Sequence, residues 1–133
     1  MSRKFIHIRT NNDIHVLDIP EEGFLDKAKE IIGCEYIETA PIQGSLIFLL
    51  DENGKLEGKE FNYQATMLYP GFPMDVIVGD VLVASVGFKD GESDIVGLND
   101  EDLQFLTSLL DLGRSLYKVL DLIHPAGEDK PDA

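Results

Sequence analysis

The residues that could do chemistry in this chain are three histidines, one cysteine and a surplus of carboxylates. Histidine and cysteine matter most where several converge, as metal ligands or as base and nucleophile. His7 and His15 flank the polar triplet Thr10-Asn11-Asn12, and pairing of the two flanking segments would set the imidazoles opposite each other. Two ligands are too few for a zinc site and no third stands nearby, so both read as partly exposed, non-ligating side chains. Cys34 is the only cysteine, which excludes an internal disulfide. Gly33 and Glu35 beside it supply no cation to activate a thiolate, so it reads as a reduced thiol in a strand. Asp51-Glu52-Asn53-Gly54-Lys55 gathers oxygen ligands, but a calcium loop alternates its acids and needs Gly at the sixth place and Glu at the twelfth. Here Gly54 comes fourth and Asn62 twelfth, so the run reads as a tight turn built on Asn-Gly.

The usual catalytic signatures are missing. Gln43-Gly44-Ser45-Leu46-Ile47 lacks the second glycine of a nucleophile elbow. There is no phosphate-binding glycine loop, no His-Glu-x-x-His and no Cys-x-x-Cys. Carboxylates could serve as acid and base, but theirs are the positions of turns and helix starts, which explains them structurally. The expectation is a protein that is not an enzyme, with no catalytic residue, no metal and no cofactor. The net charge of −14 bears on partners. Nucleic acids and anionic membranes are bound by Lys and Arg that displace counterions, and both would be repelled here. A protein partner with a basic surface is favoured instead. Asp90, Glu92, Asp94, Asp100, Glu101 and Asp102 form the densest acidic patch, against Lys89 alone.

Two apolar runs organise the elements that must carry these groups. Residues 45–50 and 76–84 are rich in β-branched or large apolar side chains and are bounded by turn signals, so they read as buried central strands. The second is expected to run from 75 to about 88, with Gly79 at a bulge or close approach. Upstream, 4–9 and 14–19 read as a hairpin in which Ile8 faces Ile14, Ile6 faces Val16 and His7 faces His15. Pro20-Glu21-Glu22 opens a helix carrying Phe24, Leu25, Ala28, Ile31 and Ile32, stopped at Gly33. A strand over 34–39 should end at Ala40-Pro41, and 55–60 should be irregular or an edge. Asn62 caps a short helix with Ala65, Met67 and Leu68. Tyr69-Pro70-Gly71-Phe72-Pro73 is a stiff loop with two aromatics expected at the surface, and 95–97 returns as a brief strand.

Asn99 followed by three acids starts a long helix, with Asp102 placed for a capping box. Leu103, Leu106, Leu110, Tyr117, Leu120 and Ile123 lie on one stripe. Phe105, Leu109, Leu112, Leu116 and Val119 widen it almost to two faces. A helix over 100–123 would span about 36 Å, more than strands of about 17–20 Å need for cover. Either Gly113 divides it, or the surplus face formed by Leu109, Leu112, Leu116 and Val119 packs on a second copy. His124-Pro125-Ala126-Gly127 would end the helix, and the chain closes in a polar tail.

At 133 residues this is one domain on length, taken as 1–123 with a tail over 124–133. Strands joined by turns in the order ββαββ, short helix, ββ, long helix predict an α+β fold, with an antiparallel sheet covered by helices on one face. No signal sequence and no membrane-spanning run is visible, so the cytoplasm is the expected compartment.

Five stretches also carry a likeness. They are Cys34-Glu35-Tyr36-Ile37-Glu38; Asp51 to Leu56; Asn62-x-x-Ala65-Thr66-x-Leu68; Asp75 to Val83; and Leu98-x-Asp100-Glu101-Asp102-Leu103. In that order, over residues 4–110, the chain resembles the small bacterial and phage family known as domain of unknown function 3846. The resemblance implies a protein carried by phages, plasmids and the genomes that host them, without an established activity or catalytic residues. Some relatives are associated with inhibition of CRISPR nucleases. The long C-terminal helix and tail depart from the family pattern. Three functions follow as expectations. The first is a non-enzymatic protein-binding accessory module docking through Asn62, Tyr63, Tyr69, Phe72 and Asp75. The second is an acidic inhibitor that covers the basic channel of a defence nuclease with the 90–102 patch. The third is a small-molecule binder in a cleft lined by Asn62, Thr66 and Asp75.

Overall fold

Period-two alternation at the start of the chain closes the first hairpin in the expected register. In the computed structural model, which describes residues 3–123, β1 (Lys4–Ile8) and β2 (Ile14–Asp18) pair antiparallel with Ile8 opposite Ile14, Ile6 opposite Val16 and His7 opposite His15. Asn12 turns the chain at φ 73°, a left-handed conformation that Asn tolerates. Then follow α1 (Phe24–Ile32), β3 (Ile37–Gln43), β4 (Leu46–Asp51), α2 (Tyr63–Leu68), β5 (Val81–Lys89), β6 (Glu92–Val96) and α3 (Asp100–Ile123). The order matches the expectation from the sequence, and the fold is a single-domain α+β unit. The expected tail at 124–133, with His124-Pro125-Ala126-Gly127, lies outside the described residues.

The sheet has six strands, all antiparallel, in the order β2-β1-β5-β4-β3, with β6 also paired to β5. The long strand β5 takes β1 along its first residues and β6 along its last, on the same edge. The two apolar runs are neighbours at its centre: Phe48 pairs with Val83 and Leu49 with Leu82.

The helices do not share one face, which corrects the expectation. Ile6, Ile8, Phe48, Val81 and Val83 point to the side covered by α2 and α3, where they meet Ala65, Leu106 and Leu110. Phe5, Leu49, Leu82 and Ala84 point to the other side, where α1 supplies Phe24, Ala28 and Ile32. A strand buried on both faces has no wet side to mark with polar residues. The unbroken apolar runs are the sequence trace of that double burial.

Four boundaries differ from expectation. β6 covers Glu92–Val96 rather than 95–97, because Asp90 and Gly91, both at positive φ, complete the turn by themselves. The second run is not strand from residue 75, because β5 starts at Val81. Gly79 sits at φ 77°, which breaks the pleat, and the Lys59 stem crosses it so closely that an added Cβ would lie 2.8 Å from Cδ. β3 starts late and runs through Pro41; as an edge strand it needs no ladder donor there, and a bulge follows between Pro41 and Gln43. Cys34 therefore lies not in a strand but at the end of α1, its amide donating to Lys29 O. In α1 the acids at 21–22 precede the helix, which begins after Gly23 in a left-handed turn. Gly33 ends it at φ 77°, as expected.

Asn62 shows what holds the layers together. It is 0% exposed. Its Oδ1 accepts from Ala65 N at 3.0 Å and caps α2, while Nδ2 donates to Ile8 O at 3.1 Å and Gly79 O at 2.9 Å. Replacing Asn62 with Ala removes the cap and strands two buried carbonyls. A loss of about 2–3 kcal/mol in urea unfolding is expected; a loss under about 0.5 kcal/mol would refute the role.

Candidate functional site

The loop between α2 and β5 is built from hydrogen bonds within itself. Tyr69 N donates to Thr66 O at 3.0 Å, Phe72 N to Tyr69 O at 3.2 Å and Asp75 N to Gly71 O at 3.1 Å. Gly71 lets the ring pack down on the loop: a Cβ there would sit 2.6 Å from the Tyr69 ring carbons and push the ring aside. The Tyr69 ring rests edge-on against Phe48 of the core, centroids 6.4 Å apart. Asp75 closes the loop by accepting from Val76 N at 2.9 Å and pairing with Lys55. The Lys55 hydrogen bond, and then the Val76 amide, hold the Asp75 carboxyl below its ordinary range.

The structure sorts the expected partner-binding residues. Asn62 is sealed and saturated. Tyr63 packs against Tyr117 of α3, the rings tilted by 57° with centroids 5.1 Å apart. Tyr69 braces the loop rather than standing free. Phe72 and Asp75 are exposed. Sequence reasoning passed over the most prominent side chain of this region, Met74, which is 93% exposed, and over Leu56 at 90%. A large apolar side chain set among turn residues, without periodic partners, was the available signal. Leu56, Tyr69 and Asp75 line one cleft of about 120 Å³. Asn62 and Thr66 do not line it; Thr66 is buried, its hydroxyl donating to Ile77 O and accepting from Ile77 N. Ligand pockets run to about 300–1,000 Å³, so the cleft is small for the third expected function.

The acidic patch comes apart in space. Asp90, Glu92 and Asp94 belong to the β5–β6 hairpin, where Lys89 pairs with Glu21. Asp100, Glu101 and Asp102 open α3, beyond the far end of β6, whose five residues span about 13 Å at the usual rise. Asp102 is engaged in the expected capping box: its amide donates to Asn99 Oδ1 at 2.7 Å. His7 and His15 face each other with ring centroids 6.5 Å apart, and His7 Nε2 lies 3.0 Å from Asp80 Oδ2. No group of three or more His, Cys, Asp or Glu side chains among the described residues could hold a metal ion.

A further charged cluster was missed. Lys59 Nζ lies 2.8 Å from Asp51 Oδ2 and donates to Ile32 O and Gly33 O at the end of α1. A cation there meets the negative end of the helix dipole. Burial pushes the Asp51 carboxyl up, but Lys59 and the Asn53 amide outweigh it and hold the group below its ordinary range. Glu57 shares a hydrogen bond with Asp51 and is raised. Cys34 lines the same groove, its thiol raised by burial and then by Asp51, so it is not an activated nucleophile.

A family model described as Domain of unknown function (DUF3846) matches residues 2–111. The chain belongs to that family. No curated protein and no solved structure matches it. The DUF3846 match covers the whole sheet, the braced loop and the first half of α3. It stops at residue 111, one residue past Leu110, the last buried residue of α3.

The Lys59–Asp51 pair gives a pH test. A depressed folded-state carboxyl stabilises the fold above the unfolded value of about 3.9, and that contribution is lost as pH falls through the lower folded value. Lys59→Met leaves Asp51 buried and uncompensated, at a cost of roughly 3 kcal/mol at pH 7. The stability gap between the two proteins should narrow steadily from pH 7 to 4, as Asp51 of the variant takes up its proton. Urea melts across that range measure it, and a gap independent of pH would refute the assignment.

Proposed function

We propose that this DUF3846 domain is a non-enzymatic protein-binding module, an accessory of a bacterium or mobile element acting in the cytoplasm. It docks through the loop at 69–75. The observation that carries the reading is a loop braced from below by Tyr69, Gly71 and the Lys55–Asp75 pair, which presents Met74 at 93% and Phe72 at 45% exposure. Aromatic and methionine side chains are enriched at interface cores. A preformed loop gives up little conformational freedom on binding. Glu38, Glu52 and Asp75 rim the neighbouring cleft against Lys55. The matching partner surface is an apolar pocket edged with Lys or Arg. No helix among the described residues is long and apolar enough to cross a membrane.

A second reading is an acidic inhibitor of a nucleic-acid-binding defence nuclease. It is favoured by one rim of the molecule where Glu21, Asp90, Glu92 and Asp94 surround Lys89. Such an inhibitor would spread its contacts over charges and be screened by salt.

Affinity capture from a bacterial lysate separates the readings. The bait is compared with its Phe72→Ala/Met74→Ala form and with a form reversed at Asp90, Glu92 and Asp94. A partner retained at high salt by the native bait and the charge-reversed bait, and lost from the loop variant, is the expected result. Both loop side chains are exposed, so the variant should unfold within about 0.5 kcal/mol of the native protein. A partner that ignores the loop variant and leaves with salt or charge reversal would overturn the loop in favour of the acidic rim.

A further inference from the structure

We infer that two copies of this chain associate through α3, as an antiparallel pair of helices. Two stripes run along the helix. One consists of Leu103, Leu106, Leu110, Gly113 and Tyr117, and it packs on the body: Leu106 and Leu110 enter the core, Gly113 lies against Gln64 and Tyr117 meets Tyr63. The other consists of Phe105, Leu109, Leu112, Leu116, Val119 and Ile123, spaced four, three, four, three and four residues apart. That is the a/d pattern of a two-helix seam. Every member is exposed, from 38% at Leu109 to 61% at Ile123. An unbroken 24-residue helix removes the alternative that Gly113 ends the stripe early.

Charge argues for a second copy as the occupant. The whole chain carries −14, so most faces of two copies repel. From Leu103 to Ile123 the charged residues are Asp111, Arg114, Lys118 and Asp121, which sum to zero. The positions flanking the seam are Ser108, Ser115, Leu122, Leu106, Gly113 and Leu120, none of them charged. This is the face on which two acidic molecules can meet without a charge penalty. Orientation follows from the helix start. A parallel pair would bring two sets of Asp100, Glu101 and Asp102 together, along with two positive helix ends; an antiparallel pair sets them at opposite ends of the seam, with opposed dipoles.

Sedimentation velocity of the full chain from low to high micromolar concentration is the test. The expected result is a concentration-dependent shift to twice the chain mass, abolished by Leu112→Glu or Leu116→Glu with an unchanged circular dichroism spectrum. The Phe72→Ala/Met74→Ala protein should dimerise normally, which separates failure here from failure of the docking loop. In a Cys34→Ser background, a mixture of Leu109→Cys and Val119→Cys chains should oxidise to the mixed disulfide. Recovery of only like-with-like disulfides would overturn the antiparallel arrangement. A single-chain mass throughout the concentration range would overturn the association itself and leave the seam to residues 124–133 or to a different protein.

Discussion

Everything in this fold depends on how residues 77–80 are held once they stop being a strand. Their backbone groups turn away from the sheet ladder just before β5 begins, in a buried place where an unpaired group costs about 1–3 kcal/mol. Side chains and loop backbone take the place of the missing strand. Thr66 both gives to and takes from Ile77, Asn62 N donates to Ile77 O, and Asn62 Nδ2 donates to Gly79 O. Gly79 N donates to Glu60 O at 2.7 Å. Asp80 receives the Thr10 amide and His7. Because Asn62 and Thr66 belong to α2 and its cap, the same bonds that satisfy this segment dock α2 on the sheet. The Lys59 stem lies over Gly79 and carries its ammonium to Asp51 and to the end of α1. One irregular segment thereby joins both helical layers to β1 and β4.

That junction explains which parts of the molecule the sequence disclosed. The hairpin register of β1 and β2 followed from alternation alone, since shifting it by one residue would put Ile6 and Ile8 on the wrong face. The caps at Asn62 and Asn99 are local chemistry and were equally legible. Residues 76–80 have the composition of a strand and misled for that reason: Val76, Ile77 and Val78 are apolar because they face α2 and the cleft, not because they pair. Among the described residues an isolated bridge to Phe61 is the sheet-like pairing that Val78 makes. The placement of α1 opposite α2 and α3 was hidden because a doubly covered strand gives no periodic hint of which helix lies on which side.

The candidate site was half legible, by the same logic. An aromatic cluster between Pro and Gly reads as a surface loop, and it is one. Which ring braces and which ring projects is decided by tertiary contact: Tyr69 finds Phe48, more than twenty residues upstream, and Phe72 finds no such neighbour in the core. Polar residues misled more than apolar ones. Asn62 and Thr66 have the donors and acceptors of binding residues, yet the fold consumes all of that capacity internally. Asp51, the last residue of β4 and the first of a run that reads as a turn, conceals the ion pair that Lys59 completes from eight residues on.

Gly113 links the body to the exposed half of α3. A glycine inside a helix costs about 1 kcal/mol relative to alanine, so its presence there needs a compensation. The contact supplies one: an added Cβ would fall 2.6 Å from Gln64 Oε1, and Gln64 is itself buried, with neither amide atom hydrogen-bonded among the described residues. The glycine lets α3 pass close over α2 and carry Tyr117 to Tyr63. Beyond Gly113 the sheet no longer needs cover, yet the sequence keeps Leu116, Val119 and Ile123 at heptad spacing over nearly three further turns while charge falls to balance. A helix end that served only as a solvated extension of an acidic domain would have no reason to exclude acids from one face and water-soluble residues from the seam. The juxtaposition of a costly glycine that fixes the helix direction with a neutral apolar stripe beyond it is the arrangement of a rigid arm that presents a surface for contact.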